Sequence, residues 1–233
     1  MHNHNVDDTE IKKFTNENAQ WWDQAGPMEM LHKMNPLRLE YILSRTPLKA
    51  MEVADIGCGG GILSEALANE NAFVTAIDMN HSAIQVASEH AKNQGLQINY
   101  HQMTAEALAE EKPDFFDVIT CLEMLEHVPN PEAVIKACAS ALKPGGKIFF
   151  STINRTPQAF LGAILGAEYI LQLLPKGTHE FKKFIRPSEL FAWANKHDLS
   201  FQHIQGVSFN PLTKTMKLTD SIHTNYITCY QKT

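Results

Sequence analysis

Residues 120–131, TCLEMLEHVPNP, place Glu123, Glu126 and His127 just past a short apolar run with the character of a strand. Two carboxylates and an imidazole at offsets of three and four would share one face of any helical turn formed there. Three readings fit such a set. The groups can ligate a divalent cation, the imidazole can act as a general base with acidic helpers, or the face is simply solvated. What the neighbouring elements bring to that turn decides among them.

Those elements are readable on either side. Over residues 50–152, short apolar runs alternate with helical patterns: MEVADI, ILSEALANE, AFVTAID, SAIQVASEHAKNQ, INYHQ, DVITC, PEAVIKACASALK and GKIFFST. Strands separated by helices imply right-handed β-α-β units and a parallel sheet with helices on both faces. Pro131 opens a helix after Asn130, and KPGG at 143–146 closes it before the next strand. Upstream, residues 11–45 read as helical segments broken at Gly26-Pro27 and Asn35-Pro36. Downstream follow residues 155–185, a helix from RPSELFAWANKH, and two strands, LSFQHIQGV and NYITCYQ. The expected organisation is one domain: a helical cap (1–48), a ligand-binding core (50–152), an insertion (155–185) and a C-terminal helix with strands (186–233).

Composition narrows the classes. A chain of 233 residues, 44% hydrophobic and 20% charged, suits a globular domain with a substantial core. A net charge of −6 argues against a general nucleic-acid binder, which usually carries a strongly basic face. Cys58, Cys121, Cys138 and Cys229 are scattered and form no C-x-x-C pair, as in a reduced cytosolic protein. The opening MHNHNVDDTEIKKF has neither the apolar core of a secretory signal nor the purely basic character of a mitochondrial presequence.

The second chemical feature is VADIGCGGGIL, residues 53–63, which sets Gly57, Gly59, Gly60 and Gly61 between a strand and a helix. Glycines there let backbone approach a ligand and offer it helix N-terminal N–H groups. Asp78 stands at the end of the next strand, 21 residues beyond Gly57, where a carboxylate accepts hydrogen bonds from a ribose diol. Together they point to a nucleoside ligand; the plainer alternative is a glycine-rich turn with a helix-capping aspartate. The pattern acid-x-Gly-x-Gly-x-Gly, with Asp55 inside the strand end, resembles the first motif of class I S-adenosylmethionine-dependent methyltransferases. A buried carboxylate is unfavourable beside a pyrophosphate but suits a methionine ammonium, directly or through water. A nicotinamide dinucleotide site expects G-x-G-x-x-G, and the sixth place here is Ile62.

The resemblance becomes closer at MNPLRLEYI, at TCLEMLEHVPNP and at GAEYILQLLPKGTHEFKKFIRPSEL, in the same order around DIGCGGGIL. The chain resembles the bacterial ubiquinone-biosynthesis O-methyltransferases, relatives of the mitochondrial coenzyme Q enzyme, from HNVDDTEI to NPLTKTMKL and NYI. The resemblance implies a Rossmann-like α/β fold, with a seven-stranded mostly parallel sheet, an antiparallel strand near the C-terminus, N-terminal helices and a helical insertion. It implies methylation of a catechol hydroxyl on polyprenyl benzenediol and demethylubiquinol, both O-methylation steps, with other enzymes of that pathway as partners and no nucleic acid. It puts Arg38, Gly57, Asp78 and Leu122 at the S-adenosylmethionine site, with Asp55, Gly59 and Gly61 beside them. Leu122 departs from the methionine common in bacterial relatives; an apolar contact survives that change. Arg38 has its own rationale, since a guanidinium binds the methionine carboxylate with two aligned donors.

Methyl transfer is an in-line displacement at a sulfonium, and the accepting phenol must lose its proton. With a pKa of about 10, roughly one phenol in a thousand is ionised at pH 7, so activation is worth about 4 kcal/mol. A cation chelated by both catechol oxygens would supply it, and the resemblance implies magnesium at Glu123, Glu126 and His127. Alternatively His127 is a metal-free base, with Glu123 beside it as the other catalytic group. In the structural alternative Glu123 caps the turn while Glu126 and His127 face solvent.

Residues 158–174, QAFLGAILGAEYILQLL, carry Glu168 as their sole charge but number 17, short of the ~20 that cross a bilayer. Gly162 and Gly166 suggest close helix packing. Lys176, Lys182, Lys183 and Arg186 follow, interleaved with Phe181 and Phe184. The expectation is an insertion that covers the site and rests on membrane lipid through 158–186, giving a cytoplasmic, peripherally membrane-associated protein. A buried lid or dimer contact is the alternative. Trp21 and Trp22 either join that lid or pack in the core.

Overall fold

The computed structural model describes residues 5–7, 9–11, 21–160, 180–210 and 213–233. Among them, each apolar run read as a strand before residue 153 pairs in one sheet. These are β1 (Glu52–Ile56), β2 (Phe73–Asp78), β3 (Ile98–Gln102), β4 (Phe116–Leu122) and β5 (Leu142–Ile153), mutually parallel. The register between β4 and β5 jumps from Phe116/Leu142 to Val118/Lys147, so the KPGG turn is absorbed as a bulge at the start of β5. The helices α1 (Glu29–Leu43), α2 (Ile62–Asn69), α3 (His81–Asn93), α4 (Ala105–Glu111), α5 (Pro131–Ala141) and α6 (Pro187–Asn195) cover the two faces. Helix α5 begins as its sequence predicts, with Pro131 in its first turn and the Asn130 side chain accepting from Ala133 N.

Three more strands close the sheet: β6 (Leu199–Asn210), β7 (Thr215–Thr219) and β8 (Asn225–Lys232), in the order β3-β2-β1-β4-β5-β8-β6-β7. The sheet therefore has eight strands among the described residues, not seven, and two run against the rest, since β8 opposes β5 and β6, and β7 opposes β6. The added strand is a short hairpin partner at the sheet edge, TMKLT, in which only Met216 and Leu218 alternate with polar residues and no position is fully buried. The mostly parallel α/β fold stands.

A second difference lies in α1, which runs unbroken through Pro36. Proline removes one backbone donor and usually ends a helix. Here Pro36 is exposed, so water can serve the carbonyl left without its partner. Downstream Tyr41 and Ile42 are wholly buried, which holds the helix to the sheet beyond the proline.

The core divides by face. Tyr41 and Ile42 of α1, Leu63 and Leu67 of α2 and Ile84 of α3 pack with Val53, Val118 and Phe149 on one side. On the other, Leu108 of α4, Val134 and Ile135 of α5 and Leu190 of α6 meet Ile119, Phe150 and Tyr230. Burial on both faces explains why β1, β4 and β8 are nearly continuous apolar runs. Residues 161–179, most of the apolar insertion with Gly162, Gly166, Glu168 and Lys176, lie outside the described residues. At its flanks, Ile153, Ala159 and Phe184 form a small buried cluster with Phe181 packed on it. Among the described residues no helix is long and apolar enough to cross a membrane.

Candidate active site

Strand order reverses direction between β1 and β4, so the loops after these two strands face one another at the carboxyl edge of the sheet. Ligands of open α/β sheets bind at such a switch point. The glycine loop leaves β1 there. Gly57 N and Cys58 N both donate to Ile77 O, at 2.9 and 3.0 Å, which ties the loop to β2. Gly57, Gly59 and Gly61 all have positive φ. Close approach is the stricter demand at Gly59 and Gly60, where a Cβ would stand 2.5 and 2.4 Å from the Trp21 indole. Trp22 donates from Nε1 to Gly60 O at 3.1 Å and stacks on His90 with centroids 3.6 Å apart. Both tryptophans therefore pack on the glycine loop.

Asp78 ends β2 with its carboxylate turned toward the loop. Its Oδ2 accepts from Gly59 N at 2.9 Å and its Oδ1 from Asn80 N at 2.7 Å. Burial raises its pKa, against backbone amides that lower it. Each oxygen keeps a further lone pair for a ligand hydroxyl. Asp55 behaves differently. Its Oδ2 accepts from Ser64 Oγ at 2.6 Å and its Oδ1 from Thr120 Oγ1 at 2.8 Å, so it binds β1 to α2 and β4 from within. With 3% of its surface exposed and burial raising its pKa, it shapes the loop more than it presents a charge.

Helix α1 brings Arg38 to the same edge, 7% exposed. Its Nη2 lies 3.5 Å from Glu123 Oε1, an ion pair too loose for a hydrogen bond, and Nε and Nη2 have no hydrogen-bond partner. Buried guanidinium donors are rarely left open, and two of them suit a carboxylate ligand. Leu122, the last residue of β4, is buried against the same apolar cluster as Cys58 and forms a wall.

The acidic turn after β4 is not one helical face. Only Leu125–His127 forms a 3₁₀ turn, and Glu123 precedes it with φ +54, a left-handed conformation that costs a non-glycine residue energy. This conformation swings Glu123 toward the sheet. Its N donates to Ser151 O at 3.0 Å, its Oε1 accepts from Ser151 Oγ at 2.6 Å, and Asn225 Nδ2 lies 3.1 Å from each of its oxygens. Glu126 points inward, 4% exposed, and neither carboxylate oxygen has a hydrogen-bond partner. Burial, then the Glu123 charge, pushes its pKa up to about 7. His127 shares Nδ1 with Glu10 Oε2 at 3.0 Å. Burial lowers the His127 pKa, but the Glu10 bond and the charges of Glu126, Glu10 and Glu123 outweigh it and raise it.

The three side chains thus influence one another but face different partners. Among the described residues no three carboxylate, imidazole or thiol groups converge where one cation would sit. As arranged, Glu123, Glu126 and His127 do not form a ready three-ligand site, and only Glu126 offers uncommitted oxygens. What the turn does offer is a strained and firmly held carboxylate, a carboxyl group poised near neutrality, and an imidazole anchored by a buried acid. Such groups accept protons near pH 7.

Sequence reading missed four contributors. Glu10, 4% exposed, joins His127 to Lys183 Nζ at 2.7 Å. Ser151 and Asn225 hold Glu123, and Ser64 holds Asp55. For Ser64 a signal existed, a hydroxyl in the first turn of the helix that follows the acidic strand end. The other three are remote in sequence from the groups they hold.

The profile of a family described as "Methyltransferase domain" matches residues 13–204. The ubiquinone biosynthesis O-methyltransferases of Stutzerimonas stutzeri and Pseudomonas putida are each 55% identical over 223 residues, covering 96% of this chain and 96% of theirs. Among solved structures, magnesium protoporphyrin IX methyltransferase from Synechocystis with bound SAH aligns with a TM-score of 0.70 at 18% identity, covering 97% of this chain and 100% of that one. A possible histamine N-methyltransferase from Thermotoga maritima aligns with a TM-score of 0.66 at 18% identity, covering 97% and 99%. At that distance the structures speak for the fold, and the closer relatives speak for the family. The chain belongs to the ubiquinone biosynthesis O-methyltransferases, methyltransferases of the S-adenosylmethionine-dependent fold.

Proposed function

We propose that this protein methylates a catechol hydroxyl of polyprenyl benzenediol and of demethylubiquinol, serving both O-methylation steps of ubiquinone biosynthesis. One observation carries the reading beyond the family name: the glycine loop and the acidic turn touch. A Cβ at Gly57 would meet Met124 Cγ at 2.5 Å, so the donor's loop and the groups that can deprotonate an acceptor share one wall.

S-adenosylmethionine supplies a sulfonium methyl group. On this reading Arg38 receives its carboxylate, Asp78 its ribose hydroxyls, and Leu122 its apolar part. Gly57, Gly59 and Gly61 permit backbone approach, and Asp55, 3% exposed behind the loop and held by Ser64 and Thr120, reaches the ammonium through water. Glu123 orients the phenol. His127, held through Nδ1 by Glu10, receives the phenol proton, and the Glu126 carboxylate beside it stabilises the imidazolium that forms. The decisive assay is methyl transfer from S-adenosylmethionine to a short-chain prenyl catechol. Absence of product with SAH-binding protein would overturn the reading.

Magnesium at Glu123, Glu126 and His127 is a second reading, favoured by the unpartnered oxygens of Glu126. It requires the Glu123 and Glu126 carboxylates to turn toward one cation, while the Glu10 contact at His127 Nδ1 is the kind of carboxylate partner that a metal-bound imidazole usually keeps. Full activity after exhaustive chelation, without stimulation by added magnesium, excludes it. Peripheral lipid contact through 158–186 is supported at the described flanks by exposed Phe160, Lys182 and Arg186, whereas Lys183 turns to Glu10. Co-sedimentation with anionic liposomes at low salt tests it.

A further inference from the structure

Asn225 opens β8 and pairs in register with Ile153, at the carboxyl end of β5, which places it on the catalytic edge of the sheet. Its amide has one allowed orientation. Nδ2 lies 3.1 Å from both oxygens of Glu123; the flipped amide would set Oδ1 against that carboxylate, acceptor against acceptor. Oδ1 must therefore face away from Glu123. There it is buried and accepts no hydrogen bond.

A buried acceptor without a donor is destabilising, and a native fold keeps one where something else supplies the proton. The surroundings define that something. The Glu123 carboxylate, 3.1 Å from Nδ2, puts negative charge beside it, so an anion is disfavoured and a neutral donor selected. Nδ2 and Oδ1 share one amide, so the open acceptor sits within an amide's width of the Glu123 carboxylate. Two adjacent hydroxyls on one ring can engage both.

We propose that Asn225 is a specificity-determining residue that selects a vicinal diol: its Nδ2 fixes Glu123, and its Oδ1 accepts the neighbouring hydroxyl that is not methylated. The inference rests on the methyl-transfer reading above and names what that site recognises in its acceptor. No bond is made or broken at Asn225; it holds the spectator hydroxyl while the other oxygen takes the methyl group. A monophenol, or a ring whose second hydroxyl is already methylated, leaves Oδ1 unpaired and is rejected.

The test compares kcat/KM for a short-chain prenyl catechol with that for the analogue whose second hydroxyl is replaced by hydrogen. The wild type should prefer the diol by at least about tenfold, the usual effect of one lost hydrogen bond in a buried site. Asn225→Ala lowers turnover of both substrates, since it also frees Glu123, but its diol preference should fall to about one. Asn225→Asp keeps an acceptor and loses the donor, so it should slow both substrates yet retain the preference. SAH binding reports whether each variant is folded, and Asn225→Val gives the alanine readout if Asn225→Ala does not fold. An unchanged preference in the alanine or valine variant overturns the proposal. Wild-type protein that binds SAH and methylates neither ring instead overturns the methyl-transfer reading and the proposal with it.

Discussion

Two carboxylate pairs lie on the same sheet edge and are treated in opposite ways. On the β1–β2 side, Asp55 and Asp78 have every oxygen matched by a hydroxyl or amide of the protein. On the β4–β5–β8 side, Glu123 sits in a strained backbone conformation and Glu126 is buried with both oxygens unmatched. The first side is finished before any ligand arrives, as a binding loop must be. The second holds strain and unmet polar groups where, on the proposed reading, protons move, and functional sites are where proteins tolerate them.

The sharpest way to break this contrast is at Asp78. If it takes a ribose diol, Asp78→Ala removes two hydrogen bonds to a charged acceptor and frees the Gly59 amide. Each such bond contributes about 1.5–3 kcal/mol, so SAH affinity should fall by a few hundredfold or more, read by titration calorimetry. A loss under tenfold would mean that the carboxylate serves only the loop.

Glu126 tests the other side through pH. Its folded-state pKa, about 7, lies above its ordinary value of 4.5, so the folded protein holds an extra proton between them. Stability from this group is fullest below that window and declines as pH rises through it, by about 3 kcal/mol. In metal-free buffer, urea unfolding of Glu126→Gln should lose this decline and exceed the wild type above pH 7. Parallel pH profiles for the two proteins would show that Glu126 is not the buried acid described here.

The same contrast marks what the sequence made legible. The glycine loop, Asp78 and the capped start of α5 are local: the partners lie in adjacent strands or within a helical turn, and spacing reveals them. The acidic turn was visible as residue types but not as geometry. Its helical face does not form because Glu123 adopts φ +54, and its partners come from far away. Glu10 is 117 residues from His127, and Asn225 is 102 from Glu123, distances that only the sheet order and the N-terminal segment close. β7 and the unbroken α1 escaped for another reason. An edge strand needs little apolar pattern, and an exposed proline can be overruled by buried anchors beyond it.

Asp55 offers a finer cut within the finished side. Ser64→Ala leaves one oxygen of a buried carboxylate without its donor, which should cost about 2 kcal/mol in urea unfolding. Because Asp55 acts by shaping the loop, SAH affinity should change only a few-fold. A loss as large as that of Asp78→Ala would move Asp55 from the frame to the ligand and erase its difference from Asp78.

The smallest expected effect, and the most specific, is at Glu10. Its carboxylate bridges His127 Nδ1 and Lys183 Nζ, and it is the hydrogen bond that raises the His127 pKa against burial. Lys183 is about one-third exposed, so its share is screened and the stability loss in Glu10→Ala should be no more than about 1 kcal/mol. The titration is the telling readout. Without Glu10, its hydrogen bond and charge no longer join Glu126 and Glu123 in opposing burial, and the imidazole midpoint followed by NMR should move down. A group with a raised folded pKa stabilises at low pH and loses that contribution as pH rises through it, so the wild-type advantage over Glu10→Ala should be largest in acid and shrink above neutrality. Glu10→Gln, which still accepts from Nδ1–H but carries no charge, should fall between the two. If the midpoint stays where it is in the alanine variant, the N-terminal segment covers the turn without tuning it, and the active side of the sheet owes its electrostatics to Glu123 and Glu126 alone.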